Sequence, residues 1–325
     1  LGQLKDALIS YENALKHNPD YAEAHNSIGL IFFEQKHYEK AIKSYQKAIN
    51  FDQNFANAHN NLGVVFNKIG QFDNAISSYN NALSKRPNYA DAHNNLGVLY
   101  QKNGQFNDAV NSYENALDVN YDDADTHNNL GNALVELERL DDAINSYNNA
   151  IRIKPGMSEV HKNLGHVLSQ LNYYDQAIEA YEKAYKNQPD LDFILGAILS
   201  AKMNSCNWTN LSNLIMEIKD SLIEGNKKVI DPFHLMGLID DPALIRKAAE
   251  IKIKSYYTKS DILPKIEYYS KHAKIRIGYF SGDFREHPVG YLTAGLYESH
   301  NSDLFEIHAF SIGPDTNDAI NLRIK

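Results

Sequence analysis

A mostly α-helical chain that opens with a superhelical stack of helix pairs is predicted by three regularities. The first is a 34-residue period: HNSIG begins at His25, HNNLG at His59, His93 and His127, and HKNLG at His161. The second is a set of small and large residues in fixed register. The glycines are Gly29, Gly63, Gly97, Gly131 and Gly165. The alanines are Ala41, Ala75, Ala109, Ala143, Ala177 and Ala48, Ala82, Ala116, Ala150, Ala184, and the tyrosines are Tyr45, Tyr79, Tyr113, Tyr147 and Tyr181. The third is a proline at Pro19, Pro87, Pro155 and Pro189, where a helix must stop because proline lacks an N–H donor.

The period and spacing are those of tetratricopeptide repeats, in which each unit is a helix A followed by a helix B. Gly97 and Ala109 are read as the small residues where the two helices cross, with Leu96 and Tyr113 filling the space beside them. Two copies depart at the proline position, with Gln53 and Tyr121, and histidine stands where the motif usually has tryptophan. Residues 1–191 are assigned to the solenoid, with 1–21 a partial repeat and five repeats of 34 following. Only a helix B is legible before Tyr21, so a further helix A is expected upstream.

One column suggests a ligand. Asn61, Asn95, Asn129 and Asn163 precede the Leu-Gly pair, with Ser27 in the first full repeat. Helix A lines the concave face of such a stack, and an amide supplies two donors and an acceptor. This row is read as a grip on the backbone of an extended acceptor peptide. Asparagine is also abundant in the neighbouring column, at Asn60, Asn94 and Asn128. The repeat histidines are not read as metal ligands, because successive copies lie a whole repeat apart.

The remaining bulk features narrow the partners. Net charge is -9, which argues against nucleic acid, whose binding depends on lysine and arginine. No apolar run reaches the ~18 residues of a membrane span. Cys206 is the sole cysteine, which suits a reducing, cytoplasmic setting.

From Asp192 the repeat fades. Helices are expected over 193–203, 211–223 and 242–257, the last opened by Asp240-Asp241-Pro242. Residues 192–273 are read as a helical adaptor and linker. The pattern then turns strand-like over 274–280 (KIRIGYF) and 305–311 (FEIHAFS), with a helix expected over 289–300. Residues 274–325 thus read as a parallel β-loop-α-β unit, the start of a Rossmann-like α/β lobe. Ligands of such sheets bind beyond the carboxyl ends of strands. That places Asp283, Arg285 and His287 of the loop SGDFREHPVG at a site-like position.

Four segments resemble the O-linked N-acetylglucosamine transferase family, glycosyltransferase family 41, in particular its bacterial-type members. They are KMNSCNW at 202–208, DPFHLMGLIDDPAL at 231–244, KIRIGYFSGDFREHPVGYL at 274–292 and FEIHAFSIGPD at 305–315. The resemblance implies a GT-B arrangement of two Rossmann-like lobes and metal-free, inverting transfer of N-acetylglucosamine from UDP-GlcNAc to Ser or Thr of acceptor proteins. It implies that His287 lies near sugar and acceptor, as a base or as a positioning group. No cofactor is expected beyond the donor substrate. The donor-binding lobe has no counterpart before Lys325, so these 325 residues by themselves are expected neither to bind donor nor to transfer sugar. Two alternatives stand beside this reading: a non-catalytic tetratricopeptide scaffold, and an O-fucosyltransferase using GDP-fucose.

Overall fold

A computed structural model describes residues 2–224, 228–235, 238–256, 275–281, 303–311 and positions 299, 301 and 319. It falls into two compact units, Leu1–Thr258 and Lys259–Lys325.

The first unit is the solenoid. Helix α1 (Gly2–His17) is followed by five A/B pairs. They are α2 (Ala22–Glu34) with α3 (Tyr38–Phe51), α4 (Ala56–Lys68) with α5 (Phe72–Lys85), and α6 (Ala90–Lys102) with α7 (Phe106–Val119). After them come α8 (Ala124–Glu136) with α9 (Leu140–Ile153) and α10 (Ser158–Gln170) with α11 (Tyr174–Asn187). Each pair packs as a hairpin on the next, and successive A helices also touch one another, which puts them on the inner side of the curve.

The residue ladders explain the packing. Tyr45, Tyr79, Tyr113 and Tyr147 are almost wholly buried, and each ring covers the glycine of its own repeat. A Cβ on Gly97 would lie 2.6 Å from Cε1 of Tyr113, closer than carbon atoms can approach. The hydroxyl keeps a partner: Tyr113 donates to Gln101 Oε1 and Tyr147 to Asn132 Oδ1, both at 2.8 Å. Burial pushes these phenols above their ordinary pKa, Tyr79 to about 12. Gly97→Ala is therefore expected to destabilise the fold by about 1–2 kcal/mol, overpacking outweighing the gain in helix propensity. Urea unfolding would show this as a lower midpoint. In a Tyr113→Ala background the same change should be neutral or stabilising.

Each A helix ends in one repeated turn. A residue of positive φ stands at Lys36, Gly70, Gly104, Glu138 and Asn172. The following N–H reaches back to a carbonyl of the helix: His37 to Phe32, Gln71 to Phe66, Gln105 to Tyr100, Arg139 to Leu134 and Tyr173 to Leu168. This is the Schellman closure, in which glycine or asparagine is favoured because φ is left-handed.

That turn shows where the stack continues. The consensus fades at Asp192, yet the next copy of the turn falls 34 residues after Asn172. Cys206 has φ 53°, and the Asn207 N–H donates to the Lys202 carbonyl at 2.8 Å. Helix α12 (Ile194–Asn204) is thus a sixth A helix, packed on α11 and touching α10. Its Ile194, Leu195, Ile198 and Leu199 join one core with Tyr181 and Ala184. The same core takes Ile218 and Leu222 of α13 (Leu211–Glu224), Leu235 of α14 (Pro232–Leu235) and Ala248 of α15 (Pro242–Tyr256). Helix α15 starts where the sequence places it, with Asp241 Oδ1 accepting from the N–H groups of Ala243 and Leu244.

In the second unit, β1 (Ile275–Ser281) pairs in parallel with β2 (Phe305–Ser311), Ile275 opposite Phe305 and Ser281 opposite Ser311. Parallel neighbours require a crossover between them. The helix expected over 289–300, position 299 apart, and the linker at 261–271 lie outside the described residues.

Candidate functional site

The A helices place the asparagine row along the inner face, and the structure gives each member a partner in the preceding repeat. Asn61 Nδ2 donates to Asn26 Oδ1 at 3.0 Å, and Asn95 to Asn60 at 3.1 Å. Asn129 donates to Asn94 at 3.4 Å, and Asn163 to Asn128 at 3.2 Å. Asn163 also donates to Asn132 Oδ1 at 3.1 Å, the atom that accepts from Tyr147. The asparagines of the neighbouring column are thus acceptors in an inter-repeat clip, and Asn60 is buried at 5% exposure. The clip uses one amide hydrogen of Asn61, Asn95 and Asn129, and these side chains are only half-buried. Their Oδ1 and second N–H remain able to face a ligand backbone. The adjacent Asn-Asn pairs, offset by 35 residues between repeats, were the available sequence signal for this clip.

The row leads into a cavity of about 290 Å³ lined by Gln101, Asn132, Glu136, Tyr147, Asn163 and His166. The inner wall there is polar, and several of its groups are already oriented by mutual hydrogen bonds.

The repeat histidines have a structural task. Each Nε2 meets a carbonyl six residues earlier, in the inter-repeat loop. His25 reaches Pro19, His93 reaches Pro87 and His161 reaches Pro155, all at 2.9 Å. His127 reaches Tyr121 at 3.0 Å and His59 reaches Gln53 at 3.4 Å. A carbonyl can only accept, so Nε2 carries the hydrogen. Imidazole here ties helix A to the loop that proline, or its substitute, forms.

Burial pushes His59 and His127 below the ordinary histidine pKa, and His127 Nδ1 is buried with no hydrogen-bond partner among the described residues. The neutral form is therefore favoured in the fold, and the unfolded chain binds the proton more readily. Their contribution to stability is full above the unfolded pKa of about 6.5 and is lost as pH falls through the lower folded value. Thermal midpoints measured from pH 7.5 down to about 5 should fall. A His127→Gln variant, able to keep the donor, should show a shallower fall.

Asp283, Arg285 and His287 lie outside the described residues, as do 282–298 altogether. What is described is that β1 ends at Ser281, immediately before their loop. Asn61, Asn95, Asn129 and Asn163 are the sequence-derived site residues that the structure brings together.

The fold and the inner amide row define a tetratricopeptide-repeat protein. Tetratricopeptide models match residues 1–36, 29–70, 65–104, 95–158 and 158–191. The glycosyl transferase family 41 model matches residues 206–325. The chain thus joins tetratricopeptide repeats to a glycosyltransferase family 41 region at 206–325.

Similar solved structures share the solenoid fold. The peptide-binding tetratricopeptide protein YrrB is 23% identical over 59% of this chain and 97% of its own, with a TM-score of 0.50. The PilF protein of Pseudomonas aeruginosa is 18% identical over 62% of this chain and 91% of its own, at 0.54. The Cut9–Hcn1 assembly of the APC/C is 19% identical over 77% of this chain and 46% of its own, at 0.53. No helix among the described residues is long and apolar enough to cross a membrane.

Proposed function

We propose that the chain belongs to a protein O-glycosyltransferase that moves N-acetylglucosamine from UDP-GlcNAc to Ser or Thr hydroxyls, with the solenoid groove holding the acceptor polypeptide. One observation carries this reading: a row of half-buried amides lies on the inner face of a stack that continues through α12 up to Cys206, where the family 41 match begins in the sequence. Amides spaced one repeat apart bind main chain and so tolerate many acceptors.

In the inverting reaction, the acceptor oxygen bonds to the anomeric carbon, UDP leaves with the bonding electrons, and the hydroxyl proton passes to a base. His287 is proposed to stand near that hydroxyl, as base or as positioning group, since imidazole titrates near neutral pH. Asp283 and Arg285 are proposed for the same loop. The single exposed cysteine, Cys206, supports work in the reducing cytoplasm.

The test is intact-mass analysis of an acceptor polypeptide incubated with the full-length protein and either UDP-GlcNAc or GDP-fucose. The expected product carries one N-acetylhexosamine on Ser or Thr, and His287→Ala lowers its yield. A fucose adduct would reassign the donor. Polypeptide binding with transfer from neither donor would make the protein a scaffold.

A further inference from the structure

The column that follows the repeat glycine reads Leu30, Val64, Val98, Asn132 and His166, and the register carried by the Cys206 turn extends it to Ser200 of α12. Its first three members are apolar and its last three polar. Asn132 and His166 border the cavity beside Asn163, and His166 and Ser200 border the next one along. His166 is thus shared by the two, so the groove runs on past the asparagine row.

This second cavity holds about 390 Å³ between the last repeat and α12, α14 and α15. Its walls include Tyr174, Tyr181, Phe193 and Ala197, with Ser200 and His234 as polar groups. Ser200 Oγ and His234 Nε2 are 3.3 Å apart. Lys252 pairs with Asp231, so the two formal charges at the cavity offset each other.

Phe193 is held in an unusual conformation, with φ 61° and ψ 12°. A bulky residue in that region is strained, and such strain is concentrated at binding and catalytic sites. The surroundings enforce it. The N–H of Phe193 donates to the Lys228 carbonyl, and that of Gly196 to the Val229 carbonyl at 3.0 Å. The approach leaves no room for a side chain at position 196, where a Cβ would lie 2.9 Å from Ile230 Cα. Asp231 and His234 come from the DPFHLMG segment, which the asparagine row does not involve.

We propose that this cavity is a side-chain-reading subsite of the groove, taking one aromatic residue with a hydrogen-bonding tip, tyrosine above all, from the bound polypeptide. The proposal rests on the groove holding polypeptide. Aromatic and alanine walls suit a ring, and the offset charges favour a neutral side chain over an ionic one. The Ser200 hydroxyl, able both to donate and to accept, is the hydrogen-bonding group offered to a phenol. The amide row reads main chain and cannot fix which residue lies where; one aromatic anchor at its end sets the register.

The experiment is selection of a displayed library of random peptides on the full chain, followed by affinity measurement of the winners and of their alanine-substituted forms. The expected winners carry a single tyrosine whose replacement by alanine weakens binding about 10- to 100-fold, the effect of burying one large side chain. Ala197→Phe, which fills the cavity, should abolish that preference and leave the alanine-substituted peptides binding as before. Ser200→Val is the gentler variant. It should keep the aromatic preference and remove the about three- to tenfold advantage of tyrosine over phenylalanine. Winners with no aromatic position, or with a preference that survives Ala197→Phe, would overturn the subsite and leave the groove reading standing. Selection of no peptide at all would overturn both.

Discussion

Tyr113→Ala is expected to cost about 3–5 kcal/mol of stability, the range seen when a large aromatic side chain is removed from a packed core. The ring is fully buried, it covers Gly97, and its hydroxyl donates to Gln101. Alanine would leave a cavity between α6 and α7 and strand the Gln101 carbonyl. Tyr113→Phe should cost only about 1 kcal/mol, since it removes the hydrogen bond and keeps the ring. Urea unfolding would report both as shifts in midpoint, and an unchanged slope would show that the same surface unfolds. Solenoid stability is a sum over repeats and their interfaces, so a defect in the middle repeat can also split the transition in two. A loss below about 1.5 kcal/mol for the alanine variant would contradict the packing described here.

The second large effect concerns binding. Replacing Asn61, Asn95, Asn129 and Asn163 together by alanine should weaken polypeptide binding on the order of 10- to 100-fold, each lost amide contributing modestly and not additively. The structure adds a complication that must be controlled. These side chains also clip neighbouring repeats through Asn26, Asn60, Asn94 and Asn128. Alanine at the four acceptor positions breaks the same clips and leaves the ladder amides in place. The acceptor variant should lose stability comparably but retain most of its binding. Equal loss of binding in both variants would show that the row acts through the shape of the solenoid and not by contact.

The solenoid was legible because it is written five times. A column such as Gly29 to Gly165 averages out local noise, and its physical reason, the tyrosine ring over each glycine, is one contact repeated. The strands at Ile275–Ser281 and Phe305–Ser311 were legible from β-rich runs of the right length, and their parallel pairing followed from the gap between them. The continuation of the stack into α12 was not legible. Its register lives in backbone geometry at Cys206, a residue whose side chain gives no hint of a left-handed φ. Gly70, Gly104 and Asn172 carried that hint for the earlier turns, where Lys36 and Glu138 concealed it.

The candidate site was legible only in part. The asparagine row was found as a column, but its clip needs two adjacent columns from successive repeats, a pairing visible only once the helices are stacked. The histidines illustrate a similar limit. Their spacing excluded a shared metal, but the carbonyl six residues back is a target that only the folded loop presents. The cavity at α12 joins Tyr174, Ser200 and His234, which are far apart in sequence and share no motif.

The most direct test of the account compares sugar transfer by the full-length protein carrying the wild-type or the four-alanine ladder, with donor hydrolysis in the absence of acceptor as the internal control. The account predicts that kcat/KM for a polypeptide acceptor falls at least about tenfold in the ladder variant, while donor hydrolysis is unchanged. Unaltered transfer to polypeptide by a correctly folded ladder variant would contradict it.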